Sequence, residues 1–138
     1  MRAIKRAGEN ELEAKKSRFV CVLERVTDET AAREAVQRQR KIHHTARHHC
    51  SAYVLGDNAD SQKSSDDGEP AGTAGMPMLE VLRRNELTNV VAVVSRYFGG
   101  VLLGARGLVR ASGGAVEAAV EHVGVVDRFL GAGSADAG

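Results

Sequence analysis

Residues 90–94 read VVAVV, five apolar positions in succession with no polar residue at alternate places. A strand with one face in water alternates apolar and polar side chains, so an unbroken run indicates a strand covered on both faces. The stretch TNVVAVVSRYF (88–98) is therefore expected to be a central strand, and the rest of the chain must supply its neighbours and its cover. Two further segments have strand character: SRFVCVLERV (17–26), with a valine-rich apolar centre, and HCSAYVLG (49–56), closed by Gly56. Three segments read as helices. In 27–43, Thr27 or Asp28 can cap, and Ala31, Ala32, Ala35 and Val36 share one narrow face opposite a basic one. In 77–85, Met78, Val81 and Leu82 fall at i, i+3 and i+4. The third, LVRASGGAVEAAVEHV (108–123), carries Gly113 and Gly114 in its interior. Each glycine there costs about 1 kcal/mol relative to alanine, which we read as the mark of close helix–sheet contact.

Residues 57–75 form a long polar loop with room for a short hidden strand, and residues 1–16 read as polar and edge-like or frayed. The order β-α-β-(β)-α-β-α implies an α/β domain of the α+β type. The expected form is a two-layer sandwich with helices on one face of a mixed sheet. A polar segment at 1–14, one domain over 15–123 and a short disordered tail at 124–138 complete the expected organisation.

The whole chain has 138 residues and a formal net charge of +1, so its bulk charge advertises no polyanionic partner. No apolar run approaches the ~20 residues of a membrane span, and the amino terminus lacks the apolar core of a secretory signal. Two cysteines, Cys21 and Cys50, are too few for a disulfide framework and point to reduced thiols in the cytoplasm. With no tryptophan and 4% aromatic residues, extended base-stacking platforms are not expected. The charge is unevenly spread. Arg33, Arg38, Arg40, Lys41 and Arg47 stand against Glu34 alone and are followed closely by Asp57, Asp60, Asp66, Asp67 and Glu69 against Lys63.

Two loops are chemically suggestive. RYFGGVLLGARGLVR ends a buried strand and opens a helix, a geometry in which free backbone N–H groups and the helix dipole favour an anion. Its candidate anion-binding residues are Arg96, Gly99, Gly100, Gly104, Arg106 and Arg110, in a pattern that is neither G-x-G-x-x-G nor a P-loop. Arginines at a helix N-terminus oppose the macrodipole, so something negative should compensate. The acidic loop SSDDGEPAGTAG offers Asp66, Asp67 and Glu69, with Thr73 as a possible cap for the following helix. Its carboxylates either lock onto Arg96, Arg106 or Arg110, or form one wall of a cleft that admits an external phosphate.

The histidine cluster HHTARHHC places His44, His48 and Cys50 at H-x3-H-x-C spacing. It lacks a paired C-x-x-C and a clear fourth ligand, so a solvated basic turn is the preferred reading and neither metal nor cofactor is expected. Cys50 with His48 as a nucleophile pair meets the objection that a strand cysteine is usually inert core. Asp66 and Asp67 as an acid/base pair meet another: neighbours on a strand point to opposite sides. No catalytic constellation stands out. Arg38, Lys41, Arg47 and His48 are the candidates for nucleic-acid contact on the first helix and the turn after it.

The motifs KKSRF (15–19), H-x-C-x-A-Y (48–53), SDDGEPAGTAGMP (65–77) and VVSRYFGGVLLGARGLVRA (93–111) resemble those of the Impact/YigZ family, over about residues 15 to 122. The resemblance implies a fold like that of a small-subunit ribosomal protein domain and of domain four of elongation factor G, with a left-handed βαβ crossover. Eukaryotic members are regulators of translation initiation, acting by competition for the activating partner of an initiation-factor kinase; for bacterial members, association with nucleic acid or the ribosome is inferred from the fold. This chain departs from the family pattern at Leu102 (usually polar), Arg106 (usually glycine), Ser112 (usually aromatic) and Ser51 (commonly tryptophan). Many bacterial members continue into a ferredoxin-like second domain, for which the residues after His122 are too few.

Three functions follow as expectations. The first is a translation-linked protein that binds RNA, the ribosome or a ribosome-associated regulatory protein. The second is a small enzyme acting on a phosphorylated substrate between the two loops. The third is a protein-interaction module with no nucleic-acid role.

Overall fold

In the computed structural model, which describes residues 1–127, the apolar run lies in strand β6 (Val90–Tyr97) at the centre of a five-stranded sheet. The other strands of that sheet are β2 (Gly8–Ala14), β3 (Ser17–Arg25), β4 (His48–Leu55) and β5 (Ser61–Ser65), in the order β2-β3-β6-β4-β5. Every pairing in it is antiparallel. Helix α1 (Glu29–Ile42) connects β3 to β4, α2 (Gly75–Arg84) precedes β6, and α3 (Gly104–Val123) follows it. A separate two-stranded sheet pairs β1 (Arg2–Ile4) with β7 (Val125–Asp127).

The α/β class and the central order of elements agree with the sequence reading, whereas the layering differs. The sheet is antiparallel rather than mixed, and helices cover both faces rather than one. The physical reason lies in β6 itself. Val90, Ala92 and Val94 pack with Phe19, Cys21, Leu23, Cys50, Ala52 and Val54 beneath α2 and α3. Val91 and Val93 face the other way and pack with Ala32 and Ala35 of α1. A strand apolar at each position needs cover on both sides, and the alanine face of α1 is narrow enough to provide the second.

Asp28 caps α1, its carboxylate accepting from the Ala31 N–H at 2.8 Å. The short strand suspected within the polar loop is β5. The third helix starts at Gly104, four residues before the apolar periodicity shows it, because glycine and arginine in its first turn mask the pattern. Residues 1–14 supply β1 and the edge strand β2. Residues 125–127, expected within a disordered tail, form β7 and pair with β1; the rest of that expected tail, 128–138, lies outside the described residues.

Gly114 faces Leu12 of β2 and Gly113 faces Pro77 and Val81 of α2, so one meets the sheet and the other a helix. Neither approach is tight enough to require glycine: a Cβ at Gly114 lies 3.6 Å from the Leu12 Cδ1. Gly114→Ala should therefore raise stability by about 0.5–1 kcal/mol, since alanine is the better helix former and adds a methyl at ordinary contact distance. Thermal denaturation should show a midpoint increase of about 2–4 °C.

Candidate functional site

The acidic loop after β5 uses each of its carboxylates on a different part of the fold. Asp66 accepts from the backbone N–H groups of Gly72 (2.8 Å), Ala74 (3.1 Å) and Gly75 (2.8 Å), and so caps α2 from outside the helix. Thr73, expected as that cap, instead donates its hydroxyl to the Pro70 carbonyl at 2.5 Å, closing the turn that delivers the N–H groups to Asp66. Asp67 takes Arg40 at 2.8 Å and 3.4 Å and the His49 N–H at 2.7 Å. Glu69 holds Arg96 bidentately at 2.5 Å and 3.0 Å, with the carboxylate side chain 3% exposed and the guanidinium side chain 10%.

Arg96 belongs to a row that crosses three strands, Phe19 on β3, Arg96 on β6 and His48 on β4, all in register. Its guanidinium carbon lies 5.9 Å from both the Phe19 and Phe98 rings, within cation–π range. His48 Nδ1 is 2.8 Å from the Asp67 carbonyl, an acceptor, which assigns the proton to Nδ1; Nε2 faces Glu69 Oε1 at 3.7 Å. On the α1 face of the same strands, His49 Nδ1 meets the Ser95 hydroxyl at 2.9 Å and His43 Nδ1 meets the Tyr97 hydroxyl at 2.5 Å.

These environments move the titrations. Burial pushes the Asp66 and Asp67 carboxyls up, but the combined hydrogen bonds, three backbone N–H groups for Asp66 and Arg40 with the His49 N–H for Asp67, hold both below the ordinary value. Burial and then the charge of Arg40 push His49 down. Burial, with the neighbouring Glu69, Asp67 and Asp66 charges, drives the Cys50 thiol far up; it donates to the Asp66 carbonyl at 3.1 Å. Cys21 is raised by burial likewise. Burial thus disfavours the thiolate form at both cysteines.

The glycine loop is arranged differently. A Cβ at Gly99 would lie 2.1 Å from the Lys16 carbonyl oxygen, so this position has room only for glycine, and its N–H donates to the Ser17 hydroxyl at 3.2 Å. The loop is thereby pressed against the β2–β3 turn, where Lys15 and Lys16 both adopt positive φ, 48° and 72°. Arg106 lies in the first turn of α3 and Arg110 one turn on; both are exposed, and neither has an ion partner among the described residues. Lys15 and Arg110 line one cleft of about 430 Å³ together with Leu12 and Leu103. A second cleft, of about 310 Å³, lies between the acidic and glycine loops and is lined by His48, Glu69, Pro70, Arg96, Leu102, Leu103 and Gly104 among others.

The structure thus joins the acidic loop to Arg96 and leaves Arg106 and Arg110 apart from it. The candidates on and after α1 do not form one free basic stripe. Arg38 bonds Glu24 at 2.6 Å, Arg47 stacks over Phe98 at 4.7 Å, and His48 is engaged by the acidic loop, while Lys41 is exposed with no ion partner among the described residues. Arg40, Lys15, Lys16 and Leu102 were not singled out as binding candidates. The adjacent lysines at 15–16 were a visible signal for the turn; the Arg40–Asp67 pairing spans 27 positions and has no local one. Among the described residues no group of three or more His, Cys, Asp or Glu side chains could hold a metal ion, and no helix is long and apolar enough to cross a membrane.

The class is thus an antiparallel α/β domain in which a carboxylate-braced loop lies beside a glycine loop carrying exposed arginines. The Impact N-terminal domain family matches residues 15–120, and the chain belongs to that family. It is 54% identical over 127 residues to the IMPACT family member YvyE of Bacillus subtilis (strain 168), covering 92% of this chain and 58% of that one. It is 50% identical over 113 residues to the IMPACT family member YigZ of Escherichia coli (strain K12), covering 80% and 55%. The chain spans about half the length of these curated relatives. A crystal structure described as a hypothetical protein superposes with a TM-score of 0.86 at 42% identity, over 91% of this chain and 62% of that one. A two-domain translational regulator, Yih1, gives a TM-score of 0.48 at 26% identity, over 83% and 45%.

Two outcomes follow from the loop's bonding. Glu69→Ala strands the buried Arg96 charge and should cost about 3 kcal/mol or more of unfolding free energy, read by urea denaturation. The depressed titrations of Asp66 and Asp67 contribute stability that is fully present above the unfolded carboxyl value of about 4. That stability is lost as pH falls through the lower folded values. Asp67→Asn should therefore lower the thermal midpoint at neutral pH and flatten its decline on acidification.

Proposed function

We propose that this chain is a translation-linked regulatory protein that binds RNA, the ribosome or a ribosome-associated partner through the face built by the glycine loop and the start of α3. Membership of the Impact family, which includes eukaryotic regulators of translation initiation, supports the link to translation. The observation that carries the choice of surface is the contrast among the arginines. Arg96 is neutralised by Glu69, while Arg106 and Arg110 are exposed and unpaired among the described residues, and Arg106 sits in the first helical turn where positive charge is least favourable. Placed four apart, they also repel each other. Binding of an anionic partner relieves both effects, and Lys15 and Lys16 lie on the turn against which the loop is packed.

A second reading rests on the cleft between the two loops. His48, Glu69 and Arg96 lie on one wall, and Gly104 and Ala105 open an uncapped helix on the other, which suits a phosphorylated small molecule. Titration with inorganic phosphate, followed by the amide resonances of Gly104 and Ala105, separates the two: saturable shifts there favour the cleft.

Co-sedimentation with ribosomes from the protein's own host, across a salt series, tests the first reading. Binding should fall steeply with salt, and Arg106→Ala/Arg110→Ala should reduce the logarithmic slope by about 1 to 2 if both contact phosphate. Absence of co-sedimentation at low salt overturns the reading. Arg106→Glu should weaken binding while raising stability by about 0.3–1 kcal/mol, because it reverses the unfavourable charge at the helix start.

A further inference from the structure

The cationic face also carries apolar surface that phosphate contacts leave unused. Leu102 is 82% exposed and Val101 40%, both at the tip of the glycine loop, and Val109 is 41% exposed between Arg106 and Arg110. Leu103 lines both clefts: with Leu12, Lys15 and Arg110 on one side, and with Pro70, Arg96 and Leu102 on the other. The two clefts therefore adjoin across a leucine wall. Arg106, Val109 and Arg110 share one side of α3 at i, i+3 and i+4.

No acidic residue of β2 answers the charge here. Leu12 and Ala14 pack toward α3, so the alternation of the strand sends Glu11 and Glu13 to the other face, where Glu11 is held by Arg18 at 2.8 Å. The result is an exposed apolar patch bordered by Lys15, Lys16, Arg106 and Arg110, with no ion partner for any of them among the described residues.

This composition discriminates between partners. A nucleic acid would use the cations, but it gains little from a leucine: its bases favour aromatic faces, and Phe98, the ring near this end of the sheet, is already covered by Arg47. A protein segment bearing both carboxylates and an aliphatic side chain uses the whole patch. We propose that this face docks an acidic protein segment, with an aliphatic side chain seated against Leu102 and Leu103 and carboxylates on Lys15, Lys16, Arg106 and Arg110. The inference rests on the reading that this surface is the binding face, and it names the chemistry of the partner.

Fluorescence anisotropy with labelled probes of equal length tests it. The probes are a glutamate-rich peptide with leucine at each fourth position, the same peptide with each leucine replaced by serine, and an oligouridylate. The leucine peptide should bind tightest, with the serine peptide weaker by about tenfold or more, the scale of one buried aliphatic side chain. Leu102→Ser should remove that advantage and leave the serine peptide's affinity unchanged; because Leu102 is exposed, the variant keeps the fold, as circular dichroism would verify. Arg106→Ala/Arg110→Ala should weaken both peptides. Equal affinities for the two peptides, tighter binding of the oligouridylate, or no binding of the leucine peptide each overturn the inference. Salt-sensitive ribosome co-sedimentation that persists in any of those cases leaves the translation reading standing, so the two failures are distinguishable.

Discussion

The buried pair between Glu69 and Arg96 is the interaction on which the arrangement of the site depends. Arg96 lies near the end of the central strand on a nearly dry face, flanked by Phe19 and Phe98, where an isolated guanidinium is expensive to bury. Glu69 answers it with both oxygens, which draws the acidic loop across the end of the sheet and sets the cleft beside it. Such a pair need not exceed an apolar substitute in net stability, because both ions are desolvated. Its contribution is positional. A loop containing three glycines and no large aliphatic side chain between residues 64 and 75 has almost no hydrophobic means of holding one conformation. Charge-assisted hydrogen bonds accepted by Asp66, Asp67 and Glu69 provide the restraint instead, each from a different element.

That restraint divides the cations into two populations. Arg40 and Arg96 are consumed in holding the fold, and Arg38 and Arg18 are paired on the surface. Lys15, Lys16, Arg106 and Arg110 have no such task among the described residues. A net charge of +1 conceals this difference, since it averages these cations with carboxylates placed elsewhere, several of them tied to cations or backbone groups. The local field at the start of α3 is what a partner meets.

The outline of the fold was legible in the sequence because its signals are local. The five-residue apolar run, the alanine stripe of α1 and the i, i+3, i+4 spacing of Met78, Val81 and Leu82 each report burial through a few neighbouring positions. The two-faced cover of β6 was implied by the same run, yet the order of elements alone led to helices on one side; the alternation of Val90, Ala92 and Val94 against Val91 and Val93 decides it. The early start of α3 was hidden by Gly104, with its positive φ, by Gly107 and by Arg106 in the first turn, a local choice that conflicts with helix electrostatics. Within the site, the motif residues were identifiable, whereas their pairings were not. Nothing near Asp66 shows that it caps α2 in place of Thr73, and the pairing of Arg40 with Asp67 depends on the packing of α1 against the sheet. Exposure of Leu102 is equally invisible to a reading that assigns leucines to cores.

The small β1–β7 sheet has a kinetic meaning. It brings together segments about as far apart in sequence as the described chain allows, Arg2 opposite Asp127, so its loop-closure entropy is the largest among the described residues. Contacts of such separation assemble after the local ones that shorten the effective loop. Yet the amino end is not a loose flap: Ile4 is wholly buried in the main core, and the Arg25 guanidinium grips its carbonyl at 3.0 Å and 2.8 Å. The β1–β7 pairing therefore also seals hydrophobic surface of the main core. Opening of that seam exposes Ile4 to water and links the breathing of the chain's ends to the stability of the whole domain.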